Sequence, residues 1–140
     1  MNLKRFFLNL LAAFLTIWIT DFLIHSVWLS ATYGETKELW RPEAELMGMM
    51  PWMFLGQFLV ALAVVVILTA SVTERRSLTV TLLMAVGLGL FYSGGQFIMY
   101  SVQPFPGSLV VKWVVAGLVQ MLLVGGIVHA IYRPKPNRQG

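Results

Sequence analysis

Four long apolar runs, set apart by short polar stretches, organise this chain. The first starts after Lys4-Arg5 and reaches about Ser30; the others cover about residues 51–72, 78–102 and 109–132. Each is long enough for a helix to cross a bilayer core, which takes roughly 20 apolar residues. Three are nearly free of charge, and the first is broken only by Asp21. The pattern predicts an all-α fold. Residues 1–140 read as a single transmembrane domain, an integral membrane up-down-up-down four-helix bundle.

Residues 31–50 are the one sizeable polar interruption, with Glu35, Lys37, Glu38, Arg41, Glu43 and Glu45. Pro42 followed by Glu43 and Glu45 is a helix-start signal, because Pro suits a first turn and carboxylates suit the positive end of the helix dipole. Leu46, Met47, Met49 and Met50 give that segment an apolar side, so a short interfacial helix is expected between helices one and two. Trp40 and Trp52 would sit at headgroup level. The Glu-rich stretch reads as a solvated loop rather than a cation site. Pro51 is expected to open helix two.

Residues 73–77 predict a tight turn, with Ser77 as N-cap of helix three. Pro106-Gly107 predicts a type II turn, and Ser108 a cap for helix four. Residues 133–140 have the composition of a disordered tail. Ala12, Thr16 and Thr20 recur every four positions on helix one, and Ala85, Gly89 and Ser93 do so on helix three. Both ridges would allow close helix contact. Gly94-Gly95 are expected to weaken helix three locally.

Composition agrees with the pattern. The chain is 58% hydrophobic and 11% charged, with mean hydropathy +0.77, too little charge for a soluble domain of this size. Without cysteine, disulfides, thiolate nucleophiles and cysteine metal sites are excluded. The N-terminus resembles a signal peptide, but its apolar run continues past 20 residues without a small-x-small cleavage site, which predicts a retained helix. The net charge of +4 comes from basic residues at the helix ends, which argues for membrane topology and against nucleic acid. Lys4, Arg5, Arg75, Arg76, Arg133, Lys135 and Arg138 fall on one side, against Lys37, Arg41 and Lys112 on the other. The positive-inside bias puts both termini in the cytoplasm.

Candidate chemistry centres on Asp21 and His25, inside the first apolar run. Their i,i+4 spacing shares a helix face with Phe14, Trp18 and Trp28, and ionisable groups at membrane depth usually turn toward protein or a wet cavity. At about 1.5 Å per residue, Asp21 lies on the order of 13 Å from the outer helix end and His25 about 7 Å. Gln57, Gln96 and Lys112 fall in the same outer half. Asp21–Val27 also aligns without gaps with Gln96–Val102, and Trp52-x3-Gly56 echoes Trp113-x3-Gly117. A parallel repeat would set Asp21 and His25 against Gln96 and Tyr100. The expected candidate cluster is therefore Asp21, His25, Gln57, Gln96, Tyr100 and Lys112, bordering a pocket open to the outside. The pair reads either as a structural latch between helices or as a protonatable site. Gln120, alone in mid-helix four, reads as a helix–helix hydrogen bond.

Haem ligation by His25 with His129 fails on geometry, since the two lie roughly 20 Å apart along the membrane normal. Zinc needs three or four ligands and is not supplied. No metal, cofactor or catalytic residue is assigned, and no nucleophile arrangement or phosphate loop points to an enzyme.

Asp21-x3-His25, Tyr33, Leu39-Trp40-Arg41-Pro42-Glu43 and Pro104-x-Pro106-Gly107-Ser108 together resemble a set of small bacterial inner-membrane proteins with four helices and no assigned function. The resemblance covers most of the length. It implies the topology and a bacterial inner membrane, and no catalytic residue. Small multidrug exporters share four helices and one membrane carboxylate, but theirs is a Glu in the first helix, whereas here Asp21 lies further along and is paired with a His. Two function classes remain. One is a non-enzymatic structural or accessory bundle in the lipid bilayer, with a homo-oligomer or partner membrane protein as its associate. The other is a small transporter or ligand-binding membrane protein using Asp21 and His25.

Overall fold

The computed structural model describes residues 2–70 and 77–132, and every element in them is helical. Helix α1 spans Leu3–Asp21 and passes directly into a π-helical segment, Phe22–Trp28. A short helix α2 (Ser30–Glu35) and a 3-10 turn (Lys37–Leu39) lead to α3 (Glu43–Ala70), followed by α4 (Leu78–Val102) and α5 (Gly107–Tyr132). Four helical stretches of 26, 28, 25 and 26 residues are long and apolar enough to cross a membrane. At about 1.5 Å per residue the shortest is roughly 37 Å long, more than a hydrocarbon core of about 30 Å requires. The expected turn over residues 73–77 lies outside the described residues except for Ser77, and the expected tail lies wholly outside them.

Helix α5 is the central element: it packs against α1, α3 and α4. The apolar core joins Ala13 and Ile17 of α1, Ala61, Val64, Val65 and Leu68 of α3, and Met121, Val124 and Val128 of α5. Helices α4 and α5 run antiparallel in tight register. Thr81 bonds His129 at one end (3.1 Å), and Tyr100 lies over Gly107 at the other. Between them the Ala85–Gly89–Ser93 ridge is buried. A Cβ built on Gly89 would lie 2.9 Å from Leu118, and one on Gly125 would lie 2.7 Å from the Cβ of Ala85. Only glycine allows the two backbones this close.

Several local expectations are corrected. Residues 43–50 are not a separate interfacial helix but the first two turns of α3, which runs through Pro51. The start signal at Pro42–Glu45 propagates; Pro42 O accepts from Glu45 N and Leu46 N at 2.9 and 3.1 Å. Pro51 lacks the N–H that would bond the carbonyl of Met47, and Met47 is 71% exposed, so solvent can serve that carbonyl. Gly107 does not form a type II turn, since no described glycine has positive φ; it begins α5, with Pro106 O accepting from Leu109 N and Val110 N. Helix α4 continues unbroken through Gly94-Gly95. Ser77 does cap it, accepting from Val80 N at 3.3 Å.

Helix α1 turns inward only part of the face expected: Asp21 bonds α3 and α5 and Phe14 packs on the core. Asn9, Ala13 and Ile17 are buried, while Trp18 and Trp28 are exposed. The hydroxyls of Thr16 and Thr20 fold back on Ala12 O and Thr16 O, both at 2.7 Å. A threonine hydroxyl inside an apolar helix satisfies its donor this way, and Thr20 Oγ1 also accepts from Gln120 of α5 at 2.6 Å. The charged residues of the loop are exposed; its one close ion pair, Arg41–Glu45 at 3.6 Å, is solvent-exposed and adds little stability.

Candidate functional site

Three helices converge on Asp21. The amide of Gln57 (α3) donates to its Oδ2 at 2.7 Å, and the amide of Gln120 (α5) donates to its Oδ1 at 2.7 Å. The same Gln120 nitrogen reaches Thr20 Oγ1 at 2.6 Å. A primary amide has two N–H groups, so Gln120 serves the carboxylate and the threonine together. Both carboxylate oxygens therefore accept, one from each amide. Gln57 Oε1, by contrast, is buried with no partner.

Immediately after Asp21 the backbone widens into the π-segment, marked by Leu29 N bonding Ile24 O, five residues back, at 2.9 Å. Such segments concentrate at functional sites. Leu29, fully buried, anchors the junction with α2, which places Tyr33 beside His25. The imidazole Nδ1 lies 2.5 Å from the Tyr33 hydroxyl, and the rings stack with centroids 5.9 Å apart. Trp113 Nε1 donates to the same hydroxyl at 2.8 Å. An indole N–H can only donate, so the phenol accepts from Trp113 and has its own hydrogen free for Nδ1. Burial pushes the Tyr33 phenol up from its usual value near 10, the Trp113 N–H opposes this, and the charges of Tyr92 and Asp21 add to it. The hydroxyl therefore stays protonated throughout the neutral range.

An aromatic wall closes over this hydrogen-bonded base. Tyr33 and Trp40 meet nearly at right angles (centroids 5.1 Å, 85°), as do Trp40 and Trp113 (6.1 Å, 73°). Phe105, from the α4–α5 connection, stacks on Trp40 at 5.4 Å and 10° and meets Trp113 edge-on at 5.2 Å. Below the wall lies a partly open cavity of about 280 Å³. Asp21, Ile24 and His25 line it from the α1 side, and Tyr33 and Trp40 from the loop. Tyr92 and Gln96 face it from α4. Trp113, Ala116, Gly117 and Gln120 complete it from α5.

Of the six residues singled out from the sequence, Asp21, His25 and Gln96 line this cavity, and Gln57 bonds Asp21 from behind it. His25 bonds Tyr33 rather than Asp21. Tyr100 lies off the site, over Gly107, because α4 carries it another full turn outward from Gln96. Lys112 reaches Thr32 Oγ1 at 3.4 Å and forms no ion pair with Asp21. The echo between Asp21–Val27 and Gln96–Val102 has no structural counterpart: one segment is π-helical and the other α-helical. Trp52 is 68% exposed, whereas Trp113 is built into the wall.

Besides Tyr33, four contributors were not foreseen from the sequence in these roles. Gln120 bonds helix one, as expected, but also lines the cavity. Trp40, assigned to the headgroups, is a wall of the chamber. Tyr92 and Trp113 were not singled out as site residues, although two spacings mark them: Tyr92–Gln96 at i,i+4, and Trp113–Gly117–Gln120 at i,i+4,i+7, each a single stripe on its helix. Among the described residues no three His, Asp or Glu side chains come together as metal ligands. The chain matches no family model, no curated protein and no solved structure.

Proposed function

We propose that this protein is a four-span, up-down-up-down integral membrane protein of the bacterial inner membrane, both termini cytoplasmic, that binds a small ligand in a chamber at its outer half. The asymmetry of Lys and Arg along the chain supports the orientation, and the wide apolar surface of the four long helices supports the lipid setting. The observation that carries the binding reading is the cavity of about 280 Å³ with the Asp21 carboxylate in its wall. A latch needs only close-packed partners. Here the acid, two amide side chains and four aromatic rings surround open space instead. A small transporter or ligand-binding membrane protein fits this arrangement, and no group in it is placed as a nucleophile.

A second reading has its own support: Asp21 ties α1 to α3 and α5, as an accessory bundle held by a polar latch would. The two separate on whether the chamber is wet. Ile24 lines the cavity, while its neighbour Leu23 is an exposed apolar residue of the same turn. In the cysteine-free background, Ile24→Cys is expected to react with an impermeant methanethiosulfonate reagent applied outside intact cells, and Leu23→Cys, facing lipid, to stay unmodified. An inert Ile24→Cys would leave the latch as the better account.

A further inference from the structure

We infer that the ligand of this chamber is a small organic monocation of the ammonium type, held by the Asp21 carboxylate and an aromatic box formed by Tyr33, Trp40, Tyr92 and Trp113. This assignment rests on the chamber reading and deepens it by naming the ligand's chemistry.

Charge comes first. The cavity wall holds one carboxylate and no Lys or Arg. The imidazole of His25 also lines the wall, but its Nδ1 accepts from the Tyr33 hydroxyl, and Lys112, next to Trp113 on α5, directs its ammonium to Thr32. An anion entering the chamber would meet Asp21 with no compensating cation, whereas a cation finds an acceptor already held in place by two amides.

Ring geometry is the second strand. The faces of tryptophan and tyrosine attract cations through the ring quadrupole, and recognition of alkylated ammonium groups uses several rings set at angles around one point. Tyr33, Trp40 and Trp113 have that relation, with successive planes at 85° and 73°. Their polar handles are occupied elsewhere. Trp113 Nε1 donates to Tyr33 and Trp40 Nε1 to Thr36 Oγ1 at 3.0 Å. What these rings have left to offer a ligand is their π surface. Phe105 backs Trp40 and Trp113 from outside the cavity, so the corner is braced before any ligand arrives.

Size narrows the choice further. About 280 Å³ falls just below the roughly 300 Å³ at which drug-sized ligand pockets begin. That suits a cation of few heavy atoms better than a bulky aromatic one. A carboxylate beside angled rings favours a diffuse, weakly hydrated charge over a small metal ion, which prefers several oxygen ligands. The Gln96 amide, and the carbonyl oxygen that Gln120 has left after its N–H groups serve Asp21 and Thr20, remain to bond a hydroxyl on the rest of such a molecule.

The test uses the full chain in lipid nanodiscs, with choline as probe and 3,3-dimethyl-1-butanol, its uncharged carbon isostere, as control. Isothermal calorimetry is expected to show choline binding at least about tenfold tighter than the isostere. Choline is also expected to slow modification of Ile24→Cys, and both effects should be lost in Asp21→Asn and weakened in Trp40→Leu. The wild-type comparison of charged and uncharged probe needs no variant to fold. Equal binding of the two probes, or binding of neither, with Ile24→Cys still reactive, overturns the cation assignment and leaves the chamber standing. An unreactive Ile24→Cys overturns the chamber itself.

Discussion

At the scale of single residues, everything turns on how a carboxyl group inside a long apolar run is satisfied. Asp21 takes one amide from each of two neighbouring helices, one on each oxygen, so removing either leaves one oxygen without its donor. Gln120→Leu is expected to lower stability by about 1–3 kcal/mol, the usual result of orphaning a buried polar group, read as an earlier thermal unfolding transition in detergent. An unchanged transition would mean water replaces the amide without loss. Tyr33→Phe removes the acceptor of the Trp113 indole N–H, and that proton's NMR resonance should move while the indole resonances of the remote tryptophans hold still. Asp21 stood out in the sequence because a lone acid in an apolar run has few roles. Its expected pairing with His25 does not form, because the i,i+4 rule assumes α-geometry, and the π-segment starting at Phe22 sends the imidazole to Tyr33 instead. Gln57 was legible as the one amide in the interior of its span. The loop tyrosine's role was not, since nothing local tells how α2 folds back.

At the scale of elements, the α4–α5 pair is the most closely fitted contact, and glycine marks it. Gly125 and Gly126 are neighbours, yet a Cβ on Gly125 would lie 2.7 Å from Ala85 while one on Gly126 meets nothing within 4 Å. Gly125→Ala should therefore destabilise by about 1–3 kcal/mol through overpacking, and Gly126→Ala should be neutral or stabilise by up to about 1 kcal/mol through helix propensity. Thermal unfolding of the two variants side by side checks this; equal effects would place the contact elsewhere. Overpacking also makes Gly89→Leu, opposite Leu118, more harmful than Leu88→Ala. The Ala85–Gly89–Ser93 ridge was visible in the sequence because spacing by four survives in any straight α-helix. The start of α3 was not, because Pro51 looks identical at a first turn and in an interior, and only the helical continuity of residues 43–50 with residues 52–70 distinguishes the two.

At the scale of the whole molecule, four long apolar helices were readable from hydropathy alone, since a membrane-length run leaves little choice of structure. Their neighbours were not. A repeat relating helices one and two to three and four would have put Trp52 where Trp113 is, yet one is exposed and the other packed, because α5 alone takes the central place. Orientation makes its own prediction: with both termini cytoplasmic, Glu45→Cys should be modified from outside intact cells and Lys4→Cys only after the membrane is opened, the reverse result inverting the topology. The central claim, a wet chamber inside a lipid-embedded bundle, is tested most directly by single cysteines along α5. Trp113, Ala116 and Gln120 line the cavity, whereas Val111, Val115 and Val119 are exposed and apolar. Reaction with an impermeant thiol reagent is predicted at the first three positions and not at the valines, which face lipid. Reaction at the valines with silence at 113, 116 and 120 would contradict both the chamber and the membrane around it.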